Sequence, residues 1–388
     1  MNIAMVDPSL FTIPYDCELI HALRCLGGRV TLYGRPLRNG EALSRSVSVV
    51  KCFYGVSERL PTVVRTPIKG GEHIFDMSLF VARMILAPPQ IIHFQWCPLP
   101  KVDARAIGLL RHVAPVVLTV HDPNPYNGTN LGMMSSGALK LPAYFDAAVV
   151  HSDNGRQQLI RNGVPQQKIY VIPHGPLPVR SSESVAPPGD RFNIVFFGKI
   201  KPYKGLDTLV AALAELPSSF KQRVRLVVAG EPVMDITEIR AMAECSGVSI
   251  SWQLRFIPDG EIDFWLRQAD LFVFPYRDID ASGVMMSCLR YGKPIIAARI
   301  GMFGEILEHH VHGFLIDPGQ PPEAYTDAIR RVMTDTARAK LMGIAVSRLA
   351  DRLPGWDDIA LSTIKMYEGL RERWYTGKNG IRRPRARI

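Results

Sequence analysis

Two series of short apolar runs, each run followed by a helical pattern, constrain this chain more than any other feature. The first series opens on Ile3 to Val6 and passes into a helix from Tyr15 to Leu26 with Leu19, Ile20, Leu23 and Leu26 on one face. Gly27-Gly28 end that helix and Val30 to Tyr33 resume a strand. The rhythm returns with strand Ile91 to Phe94, helix Ala104 to His112, strand Val116 to Val120, strand Ala147 to His151 and helix Asn154 to Asn162. A stretch rich in proline, glycine and serine, Pro173 to Arg191, reads as an interdomain linker. Beyond it, strand Asn193 to Phe197 leads to a helix with Leu206, Leu209, Val210 and Leu213 at i, i+3, i+4 and i+7. Strand Arg225 to Ala229, a helix near Ile236 to Cys245, and strands Leu271 to Phe274 and Ile295 to Ala297 follow. Apolar strands alternating with helices build parallel sheets wound by right-handed crossovers. The expected fold is α/β, with two doubly wound domains facing each other across a cleft.

A length of 388 residues suits two such domains. No uncharged apolar run reaches the roughly 18 residues that a spanning helix needs, and the start lacks the pattern of a secretory leader. The six cysteines (Cys17, Cys25, Cys52, Cys97, Cys245, Cys288) form no CxxC pair and read as reduced, mostly buried thiols of a cytoplasmic protein. The net charge is +10, and the residues from Arg371 onward, with seven Lys or Arg and one Glu, carry +6 of it. With Trp374 and Tyr375, this basic tail (374–388) fits an anionic membrane surface, making the protein peripheral at the inner face of the plasma membrane. Nucleic acid is the rival for such a tail and is not expected; a frayed, solvated terminus is the plain alternative.

The chemistry gathers in two loops of the second half. Phe197-Gly198-Lys199-Ile200-Lys201-Pro202-Tyr203-Lys204-Gly205 follows the first strand there, where a doubly wound fold places its phosphate-binding turn. Two ammonium groups, Lys199 and Lys204, can neutralise charge developing on a departing diphosphate. After strand Leu271 to Phe274, Ser282 is a good N-cap and Gly283 lets backbone amides approach a ligand, so a short helix starts at a strand end. A nucleotide or nucleotide sugar is the first ligand these loops suggest.

The same residues carry a resemblance. The order Phe-Gly-Lys-x4-Lys-Gly-Leu, Val-Val-Ala-Gly-Glu, then Phe-Pro-Tyr, Ser-Gly-Val and Gly-Lys-Pro-Ile-Ile-Ala resembles the retaining GT-B glycosyltransferases of family 4. The likeness extends to Gly304-Glu305-Ile306, Gly313-Phe314-Leu315-Ile316 and Trp356, and in the first half to Thr119-Val120-His121-Asp122 and Val171-Ile172-Pro173-His174-Gly175. It implies two Rossmann-like domains: an acceptor-binding one over 1–175 and a donor-binding one over 176–350. A helix over 351–373 would cross back to the first domain. The donor would be a UDP- or GDP-linked hexose, a co-substrate rather than a cofactor, and the acceptor a glycan or polyprenyl-linked saccharide in bacterial polysaccharide synthesis. Carried over by position, Gly198, Lys199 and Lys204 grip the donor diphosphate, and Ser282, Gly283 and Val284 offer amides to the phosphates. Glu231 and Arg255-Phe256-Ile257 fall where the nucleoside base is held, and His121 faces the donor sugar.

One departure stands out. The family has two glutamates eight positions apart in the second loop and helix; counting back from Gly292, those positions are Ile279 and Ser287. Asp278 and Asp280 flank the first, Asp280 standing in for the sugar-facing carboxylate, while Ser287 offers the ribose a hydroxyl in place of a carboxylate. Asp278-Ile279-Asp280 has the form of a metal-binding pair but sits at a helix start, so action without a metal is expected. Retention, in this family, requires no carboxylate nucleophile; an inverting enzyme would need a base, with Asp16 and Asp122 available. Two other readings stay open: a GT-B sugar-nucleotide epimerase, and a sugar-nucleotide-binding protein without activity. His309, His310 and His312 read as turn residues, and His151 and His174 as lining residues. Trp96 and Phe94 read as core, with Trp96 and Tyr126 as a possible sugar platform.

Overall fold

The computed structural model describes residues 1–38, 40–43, 47–124, 137–177 and 190–376, the side chains of 62–64, 66 and 67 excepted. Tyr126 and the tail beyond Thr376 lie outside them. The chain divides into two compact units, one of Met1–Gly175 with Pro354–Ile388 and one of Pro176–Leu353.

The first unit holds strands β1 (Asn2–Asp7), β2 (Arg29–Gly34), β3 (Val49–Lys51), β4 (Ile91–Phe94), β5 (Val116–Thr119), β6 (Ala147–Val150) and β7 (Ile169–Val171). They form one parallel sheet in the order β3-β2-β1-β4-β5-β6-β7. Helices α1 (Ile13–Cys25), α2 (Thr62–Leu86), α3 (Pro100–Leu110) and α4 (Asp153–Arg161) make the crossovers. Every residue of β4, β5 and β6 is buried, as a strand covered on both faces requires. β4 carries a polar residue into that core: His93 is satisfied by Thr119 Oγ1 at 2.8 Å and by the Tyr367 hydroxyl at 2.5 Å. Tyr367 belongs to the C-terminal helix, Trp356–Thr376, which lays Ile359, Ala360, Thr363, Met366 and Leu370 into this unit beside α1. Trp374 closes the helix by donating its indole N–H to the Arg111 carbonyl at 3.0 Å. A side chain at Gly175 would meet Trp356 at 2.6 Å, so glycine is what lets the indole seat.

The second unit repeats the plan with β8 (Phe192–Phe197), β9 (Val224–Ala229), β10 (Ser249–Gln253), β11 (Leu271–Phe274), β12 (Ile295–Ala298) and β13 (Gly313–Ile316). Their order is β10-β9-β8-β11-β12-β13, again parallel. Around them run α5 (Leu206–Ala214), α6 (Ser218–Lys221), α7 (Thr237–Cys245), α8 (Asp259–Arg267), α9 (Gly283–Leu289), α10 (Gly301–Ile306), α11 (Pro322–Thr334) and α12 (Thr336–Arg352). Ile194 and Phe196 of β8, Leu226 and Val228 of β9, and Leu209, Val210 and Leu213 of α5 share one buried cluster. In both units the strand order reverses beside the first strand. The crevice at the carboxyl ends of the strands flanking that reversal is where doubly wound sheets take their ligands.

Candidate functional site

In the second unit the reversal lies between β8 and β11, so the loops after these strands frame the crevice. Gly198 ends β8 with a φ of +92°, and a Cβ there would lie 3.2 Å from both Lys204 Nζ and Val284 Cγ2. The lysine-bearing turn and the start of α9 are therefore neighbours, and a bare glycine leaves the space between them open. Backbone contacts lock the two loops together. Gly205 (φ +67°) passes so close to Pro275 that a Cβ would sit 2.1 Å from its carbonyl oxygen. The Arg277 N–H donates to Tyr203 O at 2.7 Å, and its guanidinium to Pro202 O at 2.8 Å and to the Asp207 carboxylate.

Lys204 is 7% exposed, with its ammonium 5.6 Å from the centroid of the Tyr276 ring. Burial, with Lys201 and Lys199 adding repulsion, pulls its pKa down to about 7. A cation in this position gains most from a ligand that brings negative charge. Lys199, on the same turn, is exposed. Across the crevice Ser282 caps α9, its hydroxyl accepting the Met285 N–H at 3.2 Å, with Gly283 and Val284 opening the helix.

Other expected residues are placed less simply. Ser287 donates its hydroxyl to the Gly283 carbonyl at 3.0 Å, one turn back, so its proton is already engaged. Asp280 is 1% exposed, and its backbone carbonyl accepts the Met302 N–H at 2.8 Å; Ile279 beside it is core. Glu231, after β9, is exposed, and its carbonyl accepts the Ile200 N–H at 2.9 Å. Phe256 is exposed and Ile257 buried, while Arg255 pairs with Glu261 at 2.5 Å. Local sequence did not point to Arg277 and Tyr276. Both gain their meaning only when the second loop folds onto the first.

His121 belongs to the first unit, where the reversal lies between β1 and β4. Here the crevice is aromatic in character. Phe11, half exposed after β1, stacks on Trp96, which follows β4, with centroids 4.9 Å apart and planes 18° from parallel. Trp96 is thus not core; its partner is Phe11. Leu10 takes a φ of +47° to make this turn, and Asp7 holds it by accepting the Thr12 N–H at 3.0 Å. Beside Trp96, a small open hollow is lined by Gln95, Thr119, His121, Asp122 and Leu141. His121 sits 3.2 Å from Gln95 Oε1 and 3.3 Å from His151 Nε2, and the other nitrogen of His151 donates to the Ile172 carbonyl at 3.0 Å. Tyr15 lies over His121, His151 and His174. Burial keeps these imidazoles neutral, with His151 lowered to about 3, His174 to about 4 and His121 well below its ordinary value.

Asp16, considered above as a base, is fully buried with Asp7, and Thr12 Oγ1 bridges the two carboxyls at 3.3 and 3.2 Å. Burial raises the pKa of Asp7 and, more strongly, of Asp16; repulsion from Asp7 adds to the Asp16 shift. Of the two, Asp16 keeps its proton to the higher pH. In the second unit His309 and His312 accept backbone N–H groups of Leu315 and Glu308 at 3.0 and 2.9 Å, which makes them turn braces. Among the described residues no group of three or more His, Cys, Asp or Glu side chains could hold a metal. Cys17, Cys97 and Cys288 are buried and Cys52 half-buried, while Cys25 and Cys245 are exposed.

Two parallel doubly wound units, with the C-terminal helix returned to the first, define a GT-B fold. HepE of Anabaena, solved with UDP and glucose, shares it at a TM-score of 0.73 and 18% identity over 95% of this chain and 100% of its own. WaaG, a glycosyltransferase of lipopolysaccharide biosynthesis, does so at a TM-score of 0.69 and 14% identity, covering 97% and 100%. Residues 17–176 match the family described as Glycosyltransferase Family 4, and residues 191–335 match Glycosyl transferases group 1. The chain belongs to this glycosyltransferase family. A D-inositol 3-phosphate glycosyltransferase of Xylanimonas cellulosilytica is 29% identical over 259 residues, 61% of this chain and 60% of that protein. A GDP-mannose-dependent phosphatidylinositol monomannoside mannosyltransferase of Mycobacterium tuberculosis is 26% identical over 190 residues, 47% and 48% of the two chains.

Proposed function

We propose that this protein is a hexosyltransferase (EC 2.4) that moves a sugar from a UDP- or GDP-linked donor to a glycan or lipid-linked saccharide. The observation that carries the reading is the buried ammonium of Lys204 at the sheet reversal, with Gly198 leaving room beside it and the start of α9 as its neighbour. When the bond between the anomeric carbon and the diphosphate breaks, the pair of electrons leaves with the diphosphate oxygen. Positive charge on Lys204 and Lys199, together with the first amides of α9, stabilises that oxygen more in the transition state than in the ground state. The lysines supply the charge a metal supplies in other transferases, which supports transfer without one. The donor's base would lie along the edge formed by Glu231, Phe256 and Ile257, and its ribose near Ser287. His121, Asp280 and retention of the anomeric configuration come into this reading from the family resemblance.

The relatives' names support a sugar-nucleotide donor, because one uses GDP-mannose and HepE was solved with UDP. The test is release of nucleoside diphosphate from UDP-glucose and GDP-mannose. Lys204→Ala should lower it by about 10²–10³-fold, the usual effect of removing one preorganised group at a developing negative charge. Its melting temperature should stay near that of the wild type, since a buried cation goes with the substitution. A rate within about threefold of wild type would remove Lys204 from the diphosphate site.

A further inference from the structure

Three imidazoles meet behind the crevice of the first unit, and their hydrogen atoms can be counted. His174 Nδ1 lies 2.7 Å from the Gly175 carbonyl oxygen, and His151 Nδ1 lies 3.0 Å from that of Ile172. A carbonyl oxygen only accepts, so both nitrogens carry a hydrogen. Burial keeps His151 and His121 neutral, which leaves each ring a single N–H. His151 Nε2 is then a bare lone pair, with His121 Nδ1 3.3 Å away. Only a hydrogen on His121 Nδ1 makes that contact a bond; otherwise two bare nitrogens face each other. The neutral His121 ring therefore keeps its hydrogen on Nδ1 and leaves Nε2 bare.

Gln95 sits at the other end of the His121 ring, its Oε1 3.2 Å from Nε2. That oxygen favours the opposite form, with the hydrogen on Nε2. Two neighbours thus pull on one hydrogen from opposite ends, and they are not equal. His151 is tied to a backbone carbonyl, and reversing its ring gives up that bond. The Gln95 amide has a thioether on its Nε2 side, Met5 Sδ at 2.8 Å, which is a weak acceptor. A half turn of the amide exchanges its oxygen for the NH2 group and brings a donor to the bare nitrogen of His121. Tyr15 does not compete, because its hydroxyl bonds to Thr119 and it meets His121 ring to ring, edge on, with centroids 4.8 Å apart.

We propose that His151 is a positioning residue: anchored on the Ile172 carbonyl, it fixes His121 with its hydrogen on Nδ1 and so presents His121 Nε2 as a hydrogen-bond acceptor. A sugar hydroxyl can donate to that lone pair, whereas a ring oxygen or an ionised phosphate oxygen has no hydrogen to give. The part this plays in transfer rests on the proposed function, in which His121 faces the donor sugar; the form of the ring does not. The experiment is nitrogen-15 correlation spectroscopy of the full chain labelled at histidine, at neutral pH, with the His121 signals identified by their loss in His121→Asn. Wild type should show a protonated Nδ1 and a bare Nε2 at His121. His151→Phe keeps a ring against Tyr15 and His174 but offers no lone pair. With Gln95 Oε1 then unopposed, the hydrogen should move to Nε2, and kcat/KM for the donor should fall about tenfold, the worth of one hydrogen bond. His151→Gln can place an amide oxygen near the position of Nε2, and should return the hydrogen to Nδ1 and the rate to within about threefold of wild type. A hydrogen on Nε2 in wild type, or one that stays on Nδ1 in His151→Phe, would overturn the inference. So would a His151→Phe rate equal to wild type once the hydrogen has moved. A wild type that releases no nucleoside diphosphate would overturn the transferase reading alone, because the spectra are read without turnover.

Discussion

The two units share one strand order and put loops at the same place relative to it, yet they furnish that place with opposite chemistry. After β8 stand glycine and lysine, with an ammonium held at a pKa of about 7 and bare backbone around it. After β1 and β4 stand Phe11 and Trp96 in a stack, with neutral imidazoles behind them. A sheet reversal supplies a crevice, and the residues on its loops decide what can occupy it. Phosphate oxygens suit the first. A ring with hydroxyls and no charge suits the second, because aromatic faces and neutral nitrogen atoms neither repel nor strongly desolvate it.

The contrast breaks most visibly at its cation, where Lys204→Ala carries the largest expected effect. The next test is pH. If the donor binds the ammonium form, kcat/KM for the donor falls about tenfold per pH unit above the free-enzyme pKa of about 7. Below that value the group is charged before binding and the profile levels off. The imidazoles of the first unit have lost their protons well below this range, so they contribute no break there. Lys204→Arg keeps its charge at every working pH and should flatten the alkaline limb, whatever its absolute rate. A profile flat from about pH 6 to 9 in wild type would mean that the ammonium is not what the donor meets.

A smaller effect tests the bare backbone. Gly198→Ala places a methyl group 3.2 Å from Lys204 Nζ and Val284 Cγ2 at a φ of +92°. The left-handed backbone costs about 1 kcal/mol with any side chain, and the methyl narrows the gap between lysine and helix. The donor KM should rise severalfold with a modest drop in melting temperature. An unchanged KM would show that the phosphates do not lie beside this glycine.

Legibility in the sequence followed the range of the interactions. β4, β5, β6 and β11 are apolar runs between polar turns, and they appeared within a residue of where the pattern put them. The edge strand β10, Ser-Ile-Ser-Trp-Gln, is half-buried throughout and gave no run to see. Helix α2 escaped the pattern because Gly70-Gly71, residues that read as a break, sit inside its first half. The glycine–lysine turn and the Ser282 cap could be read because each is a local motif. The His121–His151 contact and the Phe11–Trp96 stack join residues 30 and 85 positions apart, and no local pattern announces them.

The smallest effect lies under the aromatic stack. Asp7 and Asp16 are buried together, and below the raised pKa of Asp16 the pair carries at most one negative charge. In the unfolded chain both ionise at ordinary carboxylate values, so between that range and the raised folded pKa the native state binds more protons. Stability therefore falls as pH rises through this window, the reverse of a carboxylate held by a cation. Asp16→Asn replaces the acidic proton with an amide N–H that faces Asp7 at every pH, while its oxygen can still accept from Thr12. Urea unfolding at about pH 5 and pH 8 should show wild type losing on the order of 1 kcal/mol more than the variant. Equal losses would mean that both carboxyls ionise in the folded protein at ordinary values, and two negative charges rather than one would then lie under the first crevice.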